Sequence, residues 1–267
     1  VIKSGDVNEL RQLIFERPEV VHELSDSGVP PVCSAAARGR TEMLQVLLEA
    51  KADMNQTRSD ERTPVLVAAA NGKSEALKML IDARADVHRP DSSGSTPVWK
   101  ASCDAHADCV RLLLLARADP NQVKPPSEKR QAAAPLDRES QFTTANTPAL
   151  IATGKGHTAV LDCLIQCRAD VDMASPEGVT PVFAAVMTGN IDCLRTLIDA
   201  GASTNIATTQ GTTPIHAACW TRSRDALDML IRARADVNTA RTDDGSTPCT
   251  LVAGKGDVHL LRLLLEA

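Results

Sequence analysis

The chain has 267 residues, a formal net charge of -5 and 2% aromatic residues, with no Tyr. Charges of both signs are spread along it, which is unlike the basic footprint of a nucleic-acid-binding protein, so we expect no nucleic-acid partner. No run of 18 apolar residues predicts a membrane span, so we expect no direct membrane insertion.

A Thr-Pro pair divides the chain into units of nearly equal length. A period near 33 residues is too long for one helix and too short for a domain, so each unit is one supersecondary element. Such units bury their apolar faces only against their neighbours, and they therefore predict a stacked solenoid. A variant stands at Pro30-Pro31, and the pair then recurs at Thr63-Pro64, Thr96-Pro97, Thr147-Pro148, Thr180-Pro181, Thr213-Pro214 and Thr247-Pro248. Counted from Pro31 between the second residues of the pairs, the steps are 33, 33, 51, 33, 33 and 34 residues.

The unit that starts at Thr63 shows how one repeat folds. Thr63 can cap a helix that begins at Pro64, and residues 65–70 continue it as a short apolar segment. Asn71-Gly72 ends this helix, because Gly readily adopts the positive φ of a tight turn. Residues 75–83 predict a second helix with one apolar face, and the polar residues that follow predict a hairpin-like finger.

These residues resemble the ankyrin repeat. The opening T-P-I-H-A-A at residues 213–218 and the endings MLIDARADVH, TLIDAGASTN and MLIRARADVN are similar to the family's pattern, and SGDVNELRQLI at the start is similar to a repeat without most of its first helix. The resemblance implies an all-α, curved, right-angled stack of about eight helix-turn-helix units with fingers. We expect a single solenoid over residues 1–267, made of 1–28 (partial), 29–61, 62–94, 95–121, 143–178, 179–211, 212–245 and 246–267 (truncated), with an insertion at 122–142.

Two glycine positions of the family pattern are altered in this chain. The Gly after the second helix remains only as Gly201, where the other repeats have Lys51, Arg84, Arg117, Arg168 and Arg234. A left-handed conformation there costs a non-Gly residue about 1 kcal/mol, which a cation at the helix C-terminus offsets by roughly 0.3–1 kcal/mol. The cations either compensate the helix ends or form a basic docking stripe. The interhelical Gly is replaced by Ala105 and Arg222, which predicts irregular turns.

The insertion at 122–142 carries three prolines and alternating charges, which is typical of an exposed extension. It is either a disordered loop or an elongated finger that contacts a partner. The second interpretation includes the option that residues 131–134 form one helical turn on binding. In the second interpretation its contact residues are Lys129, Arg130 and Phe142.

The resemblance implies that partners bind the concave side, formed by the fingers and the ends of the first helices. Trp220 stands out there as a large contact residue, extended by Met187 and flanked by Arg222 and Arg224; alternatively its ring folds over the turn at Arg222. The predicted helix-end contacts are Arg38, Asn71, Asp104, Lys155, Met187, Trp220, Thr221, Arg222 and Lys255. We expect the finger residues 91–95 and 241–244 to be exposed, and the predicted finger contacts are Arg62, Glu177 and Arg241.

Motifs of chemical function are weak in this chain. Gly154-Lys155-Gly156 does not have the spacing of a phosphate loop, so we expect no small-molecule ligand. The C-x-x-H-x-x-C segment at 103–109 lacks a fourth zinc ligand, and we expect neither a metal nor a cofactor. His216 stands at the family's histidine position, where it bonds locally and orders the repeat, and Trp99 and Phe183 at the same position are expected to pack between repeats. We therefore expect no catalytic residues and no enzyme.

The eight cysteines fall at unrelated phases of the repeat and include no C-x-x-C pair. Free thiols are therefore expected, which favours an intracellular, reducing compartment, the cytoplasm first, with the nucleus or an organelle left open. The chain starts at Val1 without Met and ends in mid-repeat, so we expect a segment of a longer protein.

The predicted function is protein–protein interaction, as a scaffold, an adaptor or a targeting segment. Two alternatives stay open at this point. The chain is a structural subunit of a stable multi-protein assembly, or it is the substrate-recognition region of a larger enzyme whose catalytic domain lies elsewhere.

Overall fold

The computed structural model describes residues 6–125 and 146–267, and these residues form fifteen α-helices. The fold is all-α and consists of repeated helix pairs joined by fingers. The chain divides into two compact units, Val1–Pro125 and Pro126–Ala267. Within the described ranges, no helix is long and apolar enough to cross a membrane.

The first unit begins with one helix, α1 (Val7–Glu16), and a short 3-10 helix (Pro18–Val21). Three helix pairs follow: α2 (Pro31–Arg38) with α3 (Thr41–Glu49), α4 (Pro64–Ala70) with α5 (Ser74–Asp82), and α6 (Pro97–Cys103) with α7 (Ala107–Leu115). The first helices of the pairs, α2, α4 and α6, pack on one another in order. The second helices α3, α5 and α7 form the other layer, which α1 begins.

The second unit consists of four pairs in the same two-layer arrangement. They are α8 (Pro148–Gly154) with α9 (Thr158–Gln166), α10 (Pro181–Thr188) with α11 (Ile191–Asp199), α12 (Pro214–Thr221) with α13 (Arg224–Arg232), and α14 (Pro248–Gly254) with α15 (Val258–Leu265). Each first helix contacts the next first helix, and each second helix contacts the next second helix.

The Thr-Pro pair begins the first helices as the sequence predicts. The hydroxyl of Thr63 accepts a hydrogen bond from the N–H of Leu66 at 3.1 Å, and Pro64 is the first helical residue. The equivalent bonds to Thr96, Thr147 and Thr180 measure 3.2, 3.1 and 3.2 Å. An N-cap of this kind stabilises a helix by about 1 kcal/mol, so each repeat carries its own start signal.

The core is built from small residues in the first layer and leucines in the second. In α4, residues 65–69 are at most 3% exposed, and in α5 Leu77 and Leu80 are fully buried. Alanines such as Ala68 let neighbouring first helices approach closely, and each fully buried leucine contributes about 1.5–3 kcal/mol. The repeats are therefore held together by packing between neighbours, as expected for a solenoid.

The turns at Ala105 and Arg222 are regular, so the prediction of irregular turns is wrong. Both residues adopt the left-handed conformation, with φ of 65° and 54°. The N–H groups that follow donate to Ala101 and Ala218 at 2.9 and 3.0 Å, which matches the 2.9 Å bond after Gly72 in the preceding repeat. A non-Gly residue can occupy this position at a cost of about 1 kcal/mol, and here the repeat packing enforces it.

The fingers are short hairpin turns joined to one another by single backbone hydrogen bonds. In the part of the chain that the structure describes, five of them contain a five-residue turn whose first N–H donates to the carbonyl at its end, among them Asp91 to Ser95 at 3.0 Å and Thr208 to Thr212 at 2.9 Å. The last finger has one extra residue, with Arg241 donating to Ser246 at 2.9 Å. Neighbouring fingers are connected by the bonds Ser92–Asp60, Thr209–Glu177 and Thr242–Gln210 at 3.2, 3.0 and 3.3 Å.

Candidate partner-binding surface

The predicted helix-end residues differ in how much of each side chain reaches solvent. The exposed ones are Arg38 and Asn71 in the first unit and Lys155, Arg222 and Lys255 in the second; the half-buried ones are Asp104, Met187, Trp220 and Thr221. All of them lie where a first helix ends, because they occupy the same place in successive repeats. The two units thus each present a row of such residues.

In the first unit these side chains are oriented by local polar contacts. Asn71 donates to the carbonyl of Val67 at 2.7 Å, and Arg38 donates to the carbonyl of Ser34 at 3.3 Å. Asp104 pairs with Lys100 one helical turn earlier at 3.3 Å. An exposed pair of this kind contributes about 0.3–0.5 kcal/mol, so its ions remain able to exchange partners.

Trp220 is not the exposed contact residue that the sequence predicts. The guanidinium of Arg241 lies over its ring, 4.7 Å from the ring centre, and the ring is half-buried. Its backbone carbonyl accepts a hydrogen bond from Nζ of Lys255 at 3.1 Å. Arg241, from the last finger, therefore covers part of the ring.

Arg241 is a half-buried finger residue, which corrects the expectation for this residue, whereas residues 242–244 are exposed as expected. Its side chain is 11% exposed and forms ion pairs with Asp243 and, at 3.2 Å, with Asp244. The N–H of Ser246 donates to Asp244 and holds the pKa of that carboxyl below its ordinary value, so it stays ionised beside the arginine. The finger, the arginine and the Trp220 ring form one fixed cluster.

In the finger at 91–95, Ser92 and Ser93 are exposed as predicted, but Asp91 and Ser95 are not. Asp91 is 7% and Ser95 3% exposed, because Oδ1 of Asp91 accepts the N–H groups of Ser93 and Ser95 at 2.9 and 3.0 Å. Nε of Arg62 lies 3.6 Å from Oδ2 of Asp91, so the predicted contact residue Arg62 is half-buried against this carboxylate. A buried carboxylate needs such donors and a cation to offset its desolvation.

Glu177, the remaining predicted finger contact, is half-buried in the second unit. Its Oε2 accepts a hydrogen bond from the hydroxyl of Ser175 at 2.8 Å. The contact residues predicted in the insertion, Lys129, Arg130 and Phe142, and the predicted helical turn at 131–134 lie outside the described residues.

The first-helix position that holds His216, Trp99 or Phe183 in different repeats has a structural role. His216 is fully buried, with Nδ1 2.8 Å from the hydroxyl of Thr213 and Nε2 3.2 Å from the carbonyl of Ser246. The N–H of Thr213 also donates to Nδ1 at 3.3 Å, so Nδ1 is the acceptor and Nε2 carries the proton of a neutral imidazole. Burial lowers the pKa of His216, which keeps the ring neutral. Trp99 and Phe183, at the same position, are 7% and 4% exposed, so the expected packing role is confirmed.

The cysteines behave as small apolar residues. All eight are free, and burial raises the pKa of Cys33 and Cys219 to about 12 and that of Cys109 to about 11. In the segment considered for zinc, Nε2 of His106 lies 3.2 Å from the carbonyl of Ala70. Across the described ranges, no group of three or more His, Cys, Asp or Glu side chains is placed to hold a metal ion.

The cations that follow the second helices are each accompanied by an acid. They adopt positive φ, as the sequence predicts, at Lys51, Arg84, Arg117, Arg168 and Arg234. Two residues later stands a carboxylate in every case: Asp53, Asp86, Asp119, Asp170 and Asp236. The alternation of signs along this edge favours compensation of the helix ends over a basic docking stripe.

Sequence reasoning missed the polar side chains that connect one repeat to the next. The side-chain carbonyl of Asn55 accepts the N–H of Asp86 at 2.8 Å, and that of Asn205 accepts the N–H of Asp236 at 2.9 Å. Asn190 donates to the carbonyl of Thr153, at the end of the preceding first helix, at 2.8 Å. Asn recurs as the fourth residue of the endings A-D-M-N and A-S-T-N, and this recurrence is the signal, since it accepts from the second residue of the next ending.

An open groove of about 840 Å³ lies on the second-helix layer of the first unit. It is lined by residues of α3 and α5, among them Leu48, Met79 and Ala83, and includes none of the predicted contact residues. Its volume comes from the shallow space between two parallel helices.

Comparisons with known proteins agree with this architecture. The profile of the family described as ankyrin repeats (3 copies) matches residues 2–124 and 149–241. Comparison with curated proteins gives no match. Among solved structures, the crystal structure of the human ASB11 ankyrin repeat domain is similar, with a TM-score of 0.70 and 24% sequence identity, over 89% of this chain and 97% of that chain. A likeness at this identity concerns the fold alone.

Proposed function

Because the chain belongs to the ankyrin-repeat family, whose repeats generally bind proteins, we propose that it is a protein–protein interaction module that acts as a scaffold, an adaptor or a targeting segment. Its contact surface is formed by the ends of the first helices and by the neighbouring fingers in each unit. This surface is ordered before contact, so little conformational entropy is lost on binding.

The observation that carries the proposal is the contrast between constant and variable positions within the repeat. The interior positions repeat the same chemistry, with buried Ala in the first helices and buried Leu in the second. The positions at the first-helix ends vary between repeats, for example Arg38, Asn71 and Lys155. A uniform scaffold with unlike side chains at its exposed ends supports selective recognition of a protein surface.

We assign no catalytic role to the described residues. The nitrogens of His216 are occupied by Thr213 and Ser246, and raised pKa values keep Cys33 and Cys219 as unreactive thiols. Eight free cysteines also support a reducing, intracellular compartment, with the cytoplasm as the first choice.

The test is affinity capture from native extract with matched baits. The first bait is the chain itself, and the second carries Arg38→Ala, Asn71→Ala and Lys155→Ala at the helix ends. A control bait carries three alanines at exposed positions of the second helices, Gln45, Lys78 and Asp162. Circular dichroism must first show equal helical content in the three baits.

We expect at least one protein to be captured by the chain and by the control bait but not by the helix-end variant. A further bait without residues 122–142 shows whether the insertion contributes. Capture of the same proteins by all baits, or their loss from the control bait alone, contradicts the proposed surface.

A further inference from the structure

Three exposed cations at the interhelical turns of the second unit, Arg222, Arg224 and Lys255, have no carboxylate partner among the described residues. We propose that they bind the acidic side chains of an extended, acidic segment of a protein partner. This inference rests on the proposed function and names the chemistry of the partner. We call these three residues the basic cluster.

The geometry brings two charges of the basic cluster into one place. Arg222 donates through its guanidinium to the backbone carbonyl of Lys255 at 3.4 Å, and Nζ of Lys255 donates to the carbonyl of Trp220 at 3.1 Å. Each side chain thus reaches toward the other's turn. A guanidinium has five donors and an ammonium three, so both retain donors for a carboxylate placed between them.

Three other arginines of the unit are paired internally. Arg232 pairs with Asp228 at 2.9 Å, Arg195 approaches Asp192 at 3.7 Å, and Arg241 is held by its own finger's acids. Against this background an unpaired cluster of like charges is unfavourable in the free protein. A carboxylate of the partner attracts these cations and also removes the repulsion between them, so both effects favour binding.

Three of the nearby carboxylates are engaged within the repeat. Asp257, between the turn of Lys255 and α15, accepts the N–H of Leu260 at 3.2 Å as a helix cap. Asp243 and Asp244 pair with Arg241, and Asp225 is exposed in the first turn of α13. Three cations against two carboxylates, those of Asp225 and Asp257, leave the turns with an excess of positive charge, which favours an acidic segment along them.

Backbone conformation gives a second reason to assign a role to the Arg222 side chain. Its φ is 54°, whereas Gly39 and Gly189 occupy the same place at the ends of α2 and α10 with φ of 69° and 77°. The turn forms most readily with glycine, so an arginine here is not required by the fold. It does place an exposed guanidinium at the interhelical turn.

The spacing of the repeats predicts the pattern of the ligand. Neighbouring helices lie about 8–10 Å apart and an extended chain rises about 3.3 Å per residue, so one repeat corresponds to about three ligand residues. Lys155 precedes Arg222 by two repeats and is exposed. We therefore expect two acidic residues about six positions apart, with an apolar residue between them to contact half-buried Met187.

The experiment selects ligands from a displayed library of random peptides of about 12 residues on the folded chain at low ionic strength. A selected peptide is then labelled with fluorescein, and its affinity is measured by fluorescence polarisation. We expect enrichment of Asp and Glu at the stated spacing, and a weaker affinity when salt is raised from about 0.05 M to about 0.5 M.

Two variants assign the binding to the basic cluster. Arg222→Gly removes the guanidinium while favouring the turn, so it should weaken binding at least about tenfold with no loss of stability in urea. Lys255→Gln should weaken binding similarly, and the control Arg195→Gln on the other helix layer should change it less than about twofold.

The possible failures separate this inference from the proposed function. If no peptide is selected, or if the selected peptides lack acidic enrichment, the acidic partner is overturned. Acidic peptides that bind Arg222→Gly and Lys255→Gln as tightly as the unchanged chain overturn the basic cluster as their site. The proposed function is judged separately by protein capture: it fails if the helix-end variant captures the same proteins as the unchanged chain, or if only the control bait loses them.

Discussion

Replacing His216 by Phe tests whether a buried polar residue holds the last finger to the first-helix layer. The imidazole connects Thr213 with the carbonyl of Ser246, thirty residues later, through contacts of 2.8 and 3.2 Å. The same repeat position holds buried rings at Trp99 and Phe183. The site therefore accommodates a phenyl ring, and the substitution removes hydrogen bonds while it keeps the packing.

The expected loss of stability follows from the hydrogen bonds that each partner of the imidazole loses. A net hydrogen bond contributes about 0.5–1.5 kcal/mol, and a buried donor left unpaired costs about 1–3 kcal/mol. Thr213 is 2% exposed, so its N–H is left without a partner, whereas half-exposed Ser246 can bond to water. We expect His216→Phe to lower the free energy of unfolding by about 2 kcal/mol at neutral pH.

The same variant should change the pH dependence of stability. Burial holds the pKa of His216 below its ordinary value of 6.5, so below that pH the unfolded chain binds a proton that the folded chain does not. The stability contributed by the neutral ring is complete above pH 6.5 and is lost as the pH falls from there toward the folded pKa. The difference between the chain and the Phe variant should therefore shrink on acidification.

The assay is urea denaturation followed by far-ultraviolet circular dichroism at about pH 7.5 and about pH 5.5. Exposed His259 provides the control, because His259→Gln should leave the midpoint at neutral pH unchanged. Equal midpoints for the Phe variant and the unchanged chain at neutral pH would refute the hydrogen-bonding argument. A difference that is the same at both pH values would refute the assignment of the pH effect to this ring.

Three further predictions concern strain, thiols and the tryptophan cluster. Arg84 has φ of 61° at the end of α5, so Arg84→Gly should leave the free energy of unfolding unchanged or raise it by up to about 1 kcal/mol; a larger loss in urea denaturation contradicts the strain argument. Cys167 and Cys249 are the only half-buried thiols of the eight, so Ellman's reagent should label two thiols quickly in the native chain and eight in urea; fast labelling of more than two refutes the buried assignments. Arg241→Ala should uncover Trp220 and shift its fluorescence to the red in a chain whose other tryptophan is replaced by Phe, and an unchanged spectrum would contradict the stacked arrangement.

Local signals explain why the helices were predictable from the sequence. Thr63 caps through its own hydroxyl, Pro64 fits only the first turn, and apolar periodicity defines the buried face of α5. Each signal acts within about four residues, so the structure reproduces the predicted helix bounds to within one residue. The positive φ of Lys51 and Arg84 was predictable for the same reason, because a helix end requires that conformation.

The turn at Arg222 shows where local reasoning is insufficient. Without Gly, an isolated turn has no reason to choose the left-handed conformation, and the sequence predicted an irregular one. In the folded chain, packing of α12 and α13 against their neighbours leaves one geometry for the connection, with φ of 54°. The stacking energy exceeds the local strain of about 1 kcal/mol.

By itself, the sequence determined the repeat, its family and the helices, since each depends on residues close together in the chain. Only the tertiary structure decided which predicted contact side chains reach solvent. Trp220 is covered by Arg241 from the next finger, whereas Arg222 and Lys255 remain exposed beside it. Side-chain exposure depends on atoms that arrive from another repeat, and a pattern along one repeat contains no information about their positions.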